Sequence, residues 1–333
     1  MHGNIQKGVR FGAALALALA LCATAALAAE TGGKRLVPVG HTVGVKLFSR
    51  GVVVVKLPEG STPARTCGLK TGDVIEACGG RTVTSTEQFQ SLLQENGTDT
   101  TELSVKRQGS PVTLSVEPER NEEGACCIGA WVRDSMAGIG TVTYYDPDSN
   151  TFGALGHGIT DGDTAALMPF GNGAILPSTV KAVKKGSCGS AGELRGEFDL
   201  TEELGQLYAN TGCGIFGTLN AACSLAEGEA LPVGDASEGP AVIRSNISGD
   251  EVHEYAVEFL KTIPDAPDGR ELVISVTDPE LIAATGGIVQ GMSGSPILQN
   301  GQLVGAVTHV LLSDPTKGYG ISVETMLNTG AMT

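Results

Sequence analysis

The run Gly287-Ile-Val-Gln-Gly291-Met-Ser293-Gly-Ser295-Pro296-Ile-Leu-Gln299-Asn300-Gly301-Gln-Leu-Val-Gly-Ala-Val-Thr-His309 decides how the chain reads. Ser293 lies between Gly291 and Gly294, and glycine permits the tight, partly positive-φ backbone that exposes a hydroxyl together with its own amides. Pro296 to Gln299 reads as a short strand, Asn300-Gly301 as a two-residue hairpin turn, and Leu303 to Leu312 as the returning strand. A glycine-rich serine turn that feeds a hairpin closes a β-barrel. It does not open a helix, as the G-x-S-x-G elbow of α/β-hydrolases must.

A serine nucleophile needs a base within hydrogen-bond reach, and histidine titrates near neutrality. The chain has five histidines, His2, His41, His157, His253 and His309. Of these, His157 alone stands between glycines at the end of a short apolar run, Phe152-Gly-Ala-Leu-Gly-His157-Gly158. It precedes Ser293 by 136 residues, in the order and at the separation expected when base and nucleophile sit on successive barrels. In a chymotrypsin-like arrangement the amides of Gly291 and Ser293 form the oxyanion hole. The rival Ser295 precedes Pro296 and lacks the glycine pair, and His309 lies on an apolar strand and reads as a packing residue. Asp161 and Asp163, near His157, are too thin a ligand set for a metal and read as a turn. No metal site and no cofactor is expected.

Composition sets the compartment and the class. With 47 glycines and 4% aromatics in 333 residues, short strands and tight turns are favoured over packed helices, so the fold class is mostly β. The net charge is −15, and residues 1–29 hold two cations and no acid, so the rest carries −17. Such acidity argues against nucleic acid or anionic lipid as partners. Lys7 and Arg10 precede an apolar run from Phe11 to Ala29, which reads as a signal peptide or as a membrane anchor. The chain is expected to be exported, with contact to the membrane only through this segment. Beyond Cys22 there are seven cysteines, an odd number that cannot all pair internally. Cys213 with Cys223 and Cys67 with Cys78 are the nearest pairs for disulfides, with free thiols as the alternative.

Residues 30–40 read as a linker and 41–120 as a compact module. Its elements are two strands, Val43 to Leu47 and Gly51 to Lys56, joined by Ser49-Arg-Gly51, then Gly68-Leu-Lys-Thr-Gly-Asp-Val-Ile75. A helix follows, with Thr84-Ser-Thr-Glu87 as a capping box, Phe89, Leu92 and Leu93 on one face, and Gly97 as the stop. This order resembles a PDZ domain of the bacterial protease type, which binds a peptide end by β-augmentation. The resemblance places the carboxylate-holding turn and binding strand at Val43, Gly44, Val45 and Lys46. Residues 121–333 leave room for two six-stranded barrels, a chymotrypsin-like serine peptidase domain. On this division a chain beginning near Glu119 keeps reactivity at Ser293.

The runs GALGHGI, GIVQGMSGSPI and GAVTHV, together with this domain order, resemble the sporulation serine peptidases typified by stage IV sporulation protein B. The resemblance covers nearly all of the chain beyond its N-terminal segment. It implies a signalling serine endopeptidase in the space between the two membranes around the forespore. There it would cut a regulator of a membrane-embedded metalloprotease and so trigger processing of a late sigma factor. It also implies that Asp278, at the family's offset before the serine motif, is the third catalytic residue. By chain order alone Asp161, Asp163, Asp199, Asp235, Asp250, Asp265, Asp268 and Asp278 all qualify, and Asp199 is nearer the chymotrypsin-like spacing from His157. The competing function is a PDZ and barrel scaffold that has lost its chemistry and binds a membrane partner.

Overall fold

The computed structural model describes residues 33–220, 223–263, 266 and 269–333. Residues 1–29, read as a signal peptide or membrane anchor, with Cys22, and the candidate acids Asp265 and Asp268, lie outside the described residues. The first long element, β1 (Thr42–Lys56), is one strand where two were expected. It bends at Gly51, whose φ is +86°, and a Cβ there would lie 2.5 Å from the Ile75 carbonyl oxygen. The bend divides the strand between the first barrel and the module, which lie in one continuous sheet.

The second half of β1 joins a module built from α1 (Pro63–Thr66), β2 (Val74–Cys78), α2 (Thr86–Asn96), β3 (Thr101–Arg107) and β4 (Ser110–Val116). Val52 and Val53 pair with Ile75 and Val74, and β2, β3 and β4 follow in order. Phe89, Leu92 and Leu93 of α2 pack with Val52, Val54, Ile75 and Leu103 in one core, as the helical spacing predicts. The helix cap sits one residue later than expected. Ser85 is the N-cap and accepts from Gln88 N at 3.1 Å, while Gln88 Oε1 turns back to Thr84 N at 2.7 Å.

Further strands of the first half include β5 (Trp131–Asp146), β6 (Thr151–Ala154), β7 (Phe170–Lys184), β8 (Glu193–Phe198), β9 (Gly205–Thr211) and β10 (Gly214–Leu219). Antiparallel pairing runs β5–β6–β10–β9–β7–β1 and returns to β5, which closes a six-stranded barrel. The first half of β1 is therefore a barrel strand. Thr42 to Phe48 pair with Thr141 to Ser135 on one side, and Val43 to Ser49 pair with Pro177 to Phe170 on the other.

This pairing corrects the reading of Val43, Gly44, Val45 and Lys46 as a peptide-binding turn. Both edges of that stretch are occupied, so it has no free hydrogen-bonding edge to offer a ligand. Val43 and Val45 are buried with Val142, Phe152, Ile175 and Ile215, and exposing each would cost about 1.5–3 kcal/mol. A Cβ on Gly44 would lie 2.7 Å from the Phe198 ring. The strand beside the second half of β1 is instead the start of β5, with Trp131 opposite Lys56 and Arg133 opposite Val53.

A second closed barrel is formed by β11 (Gly239–Ser245), β12 (His253–Thr262), β13 (Leu272–Val276), β14 (Pro296–Gln299), β15 (Gln302–Val310) and β16 (Lys317–Ser322). Ile243, Val257, Phe259, Ile274, Ile297 and Val307 fill it, each on the inward side of an alternating strand. Between β13 and β14 lies α3 (Pro279–Thr285), and the chain ends in α4 (Val323–Ala331). The seven described cysteines are free thiols, so neither Cys67 with Cys78 nor Cys213 with Cys223 is bridged. Among the described residues no helix is long and apolar enough to cross a membrane.

Candidate active site

The turn between α3 and β14 carries Ser293. Gly291 has φ +98° and Gly294 φ +97°, so both occupy the region that glycine alone enters without strain. Thr141 of β5, fully buried, holds this turn from the opposite barrel. Its hydroxyl donates to the Gly291 carbonyl at 2.8 Å and its amide to the Ser293 carbonyl at 3.0 Å. With these carbonyls fixed, the neighbouring amides divide into two sets. Met292 N donates to Val289 O, Gly294 N to Val307 O and Ser295 N to Met292 O. Among the described residues the amides of Gly291 and Ser293 have no acceptor within the chain. Two fixed, unspent donors flanking a serine are what a developing oxyanion requires.

His157 follows β6 through two left-handed residues, Leu155 at φ +69° and Gly156 at φ +67°. Gly156 lies against the second barrel, where a Cβ would come within 2.8 Å of Thr308 Cγ2. The imidazole Nδ1 lies 2.9 Å from Gly158 O. When Nδ1 carries the proton it donates to that carbonyl, which leaves Nε2 as the basic nitrogen. Burial pulls the His157 pKa below the ordinary 6.5, and the Gly158 carbonyl only partly offsets this. The shift favours the neutral ring, the form a general base requires.

His157 and Ser293 line one cleft of about 1260 Å³, together with Met136 to Ile139, Thr308 and His309. The Ser293 hydroxyl donates to Thr308 O at 2.7 Å, so the proton must be redirected toward His157 before attack. His309 is not only a packing residue: its ring centroid lies 5.2 Å from that of His157. Ser295 is fully buried and donates to Ser245 Oγ at 3.1 Å, which removes it as a nucleophile.

The structure does not bring Asp278 to His157. Asp278 is the N-cap of α3, with Oδ1 accepting from Glu280 N at 2.9 Å and Leu281 N at 3.0 Å, and Oδ2 from Ala256 N at 3.3 Å. The Pro279 that follows makes Asp278 a helix start, and this corrects its assignment as the orienting acid. Asp199 accepts from the amide and hydroxyl of Thr201 at 2.8 and 2.6 Å in an exposed turn. Asp161 and Asp163 form the expected turn, and both also pair with Arg133. Among the described residues no aspartate lines the cleft. Thr141, the nearness of His309 to His157, and the hold of Arg133 and Asn210 on the loop escaped the sequence reading, because each meets the site across a long chain separation.

A nucleophile loop with paired free amides, facing a neutral histidine between two six-stranded β-barrels, defines a serine peptidase. The family model described as SpoIVB peptidase S55 matches residues 124–327, and a PDZ domain model matches 37–117. The chain belongs to the SpoIVB peptidase S55 family. The PDZ match begins before β1, the strand that the barrel and the module share. Serine protease HTRA1 of Xenopus tropicalis is 35% identical over 74 residues, and that of Xenopus laevis is 34% identical over the same length. Each match takes in 22% of this chain and about 15% of the relative's length. Among solved structures, the PDZ domain of an SdrC-like protein of Listeria innocua is 24% identical, covering 25% of this chain and 93% of its own, with TM-score 0.23. The Rv3671c protease of M. tuberculosis in its active form is 14% identical, covering 60% and 74%, with TM-score 0.32.

Proposed function

We propose that this serine peptidase is an exported signalling endopeptidase of sporulation. It cuts a membrane-associated regulator of a membrane-embedded protease and thereby triggers processing of a late sigma factor. Membership of the SpoIVB peptidase S55 family supports this reading, as does the acidic body behind a basic, apolar N-terminal segment. The observation that carries the chemistry is the pair of unspent amides at Gly291 and Ser293, in one cleft with His157.

In that cleft Ser293 Oγ attacks the scissile carbonyl as His157 Nε2 takes its proton. The Gly291 and Ser293 amides hold the oxyanion, and the imidazolium returns the proton to the leaving amine. The Gly158 carbonyl fixes the tautomer in this scheme, the part an aspartate plays in the usual triad. With β5 on the edge of its β1 segment, the PDZ module recruits the protein substrate through a surface other than that edge. The test replaces the chromosomal copy by Ser293→Ala and follows both the regulator and the sigma-factor precursor through sporulation. Intact regulator and unprocessed precursor are expected, whereas normal processing would remove the signalling role.

A further inference from the structure

The loop that carries His157 is held at two points. At its base Asn210 of β9 accepts from Ile159 N at 2.8 Å and donates to Ile159 O and Met168 O, each at 3.0 Å. At its tip stands Asp161, whose side chain is only 1% exposed. Asp161 Oδ1 accepts from Asp163 N at 3.0 Å and Thr164 N at 2.9 Å, and its Oδ2 is paired with Arg133. Arg133 also reaches Asp163 at 2.8 Å, a partner that is 56% exposed.

Arg133 belongs to β5, whose later residues Met136 to Ile139 line the catalytic cleft. The residue after it, Asp134, leaves the opposite face of the strand and accepts from Thr86 N, at the start of α2, at 2.8 Å. The backbone of Arg133 also pairs with Val53. The guanidinium thus projects from a strand fixed on both flanks.

We propose that Arg133 is a positioning residue for His157, holding the tip of the base-bearing loop while Asn210 holds its foot. The inference rests on the reading of Ser293 and His157 as nucleophile and base. Without the guanidinium, a carboxylate of 1% exposure keeps the amides of Asp163 and Thr164 and the Thr164 side chain as its donors, and an under-compensated buried charge turns toward water. The backbone of Asp161 is tied into the loop, its N–H donating to Ala166 O beside the Thr160–Leu167 bridge, so a shift of Asp161 is passed to its neighbours. Its movement is therefore transmitted along the loop segment that begins at His157. A base displaced by about 1 Å slows proton transfer on the order of 10²-fold.

The test measures the rate at which a fluorophosphonate labels Ser293 in the full chain, per folded molecule by thermal unfolding. Arg133→Met is expected to slow labelling on the order of 10²-fold. Arg133→Lys, which restores the charge without the fork, should recover to within about tenfold of the parent. Asp163→Asn, which removes only the exposed partner, should stay within about threefold. Labelling of folded Arg133→Met at the parental rate overturns the proposal, as does equal loss in Arg133→Met and Arg133→Lys. Should Arg133→Met not fold, a slowing in Arg133→Lys but not in Asp163→Asn supports it, and equal rates overturn it. Failure of the underlying reading looks different: the parent itself would carry no label on Ser293, or His157→Ala would react like the parent.

Discussion

At the scale of single residues, activity depends on which groups are free to act. His157 is neutral because burial outweighs its carbonyl partner, so labelling of Ser293 should rise with pH through a midpoint below 6.5. The sign for stability follows the same shift: as pH falls below 6.5 the unfolded chain binds a proton before the folded one, and that contribution to stability is lost. A labelling profile centred at or above 6.5 would contradict the neutral, buried base. Asp278 gives a second test. Asn keeps the cap acceptor, so Asp278→Asn should label like the parent, while Asp278→Ala should lower stability by about 1 kcal/mol. A stable Asp278→Asn enzyme with labelling slowed on the order of 10⁴ would restore Asp278 to the site. Among the described glycines Gly294 is one of the hardest to replace, since a Cβ there would lie 2.0 Å from Thr141 O at φ +97°. Gly294→Ala is expected to cost about 3 kcal/mol or more, read from denaturant unfolding, and an unperturbed midpoint would show that the turn is not clamped by Thr141.

At the scale of elements, local chemistry was legible and long-range pairing was not. The Asn300-Gly301 hairpin, the apolar face of α2 and its stop at Gly97, with φ +66°, follow from residues within a few positions of one another. So does the glycine framing of His157 and Ser293. Ser49-Arg-Gly51 carries turn residues, yet one strand continues through them with a bend, because β5 pairs with β1 on either side of Gly51 and supplies partners from 75 to 99 residues downstream. No periodicity within residues 42–56 separates a peptide-binding edge from a barrel strand, since both alternate apolar residues and both favour valine. Asp278-Pro279 shows the same limit. An acid before proline fits a cap and a catalytic strand end equally well, and only the amides of Glu280, Leu281 and Ala256 decide for the cap.

At the scale of the whole molecule, the peptidase and the PDZ module share β1, and β5 runs from α2 into the catalytic cleft. A chain shortened to begin near Glu119 therefore lacks one of the six strands of the first barrel. Contrary to the division read from the sequence, it should fail to fold and should not label, as circular dichroism and a fluorophosphonate would report. A folded, reactive fragment would mean that the barrel closes without Thr42 to Phe48. The central claim, that Ser293 and His157 act as nucleophile and base in the cleft between the barrels, is tested most directly by mapping a fluorophosphonate adduct on the full chain by peptide mass. The account predicts one adduct, on Ser293, absent from Ser293→Ala and slowed by about 10³-fold or more in His157→Ala. An adduct on any other serine, or an unreactive folded protein, would contradict it.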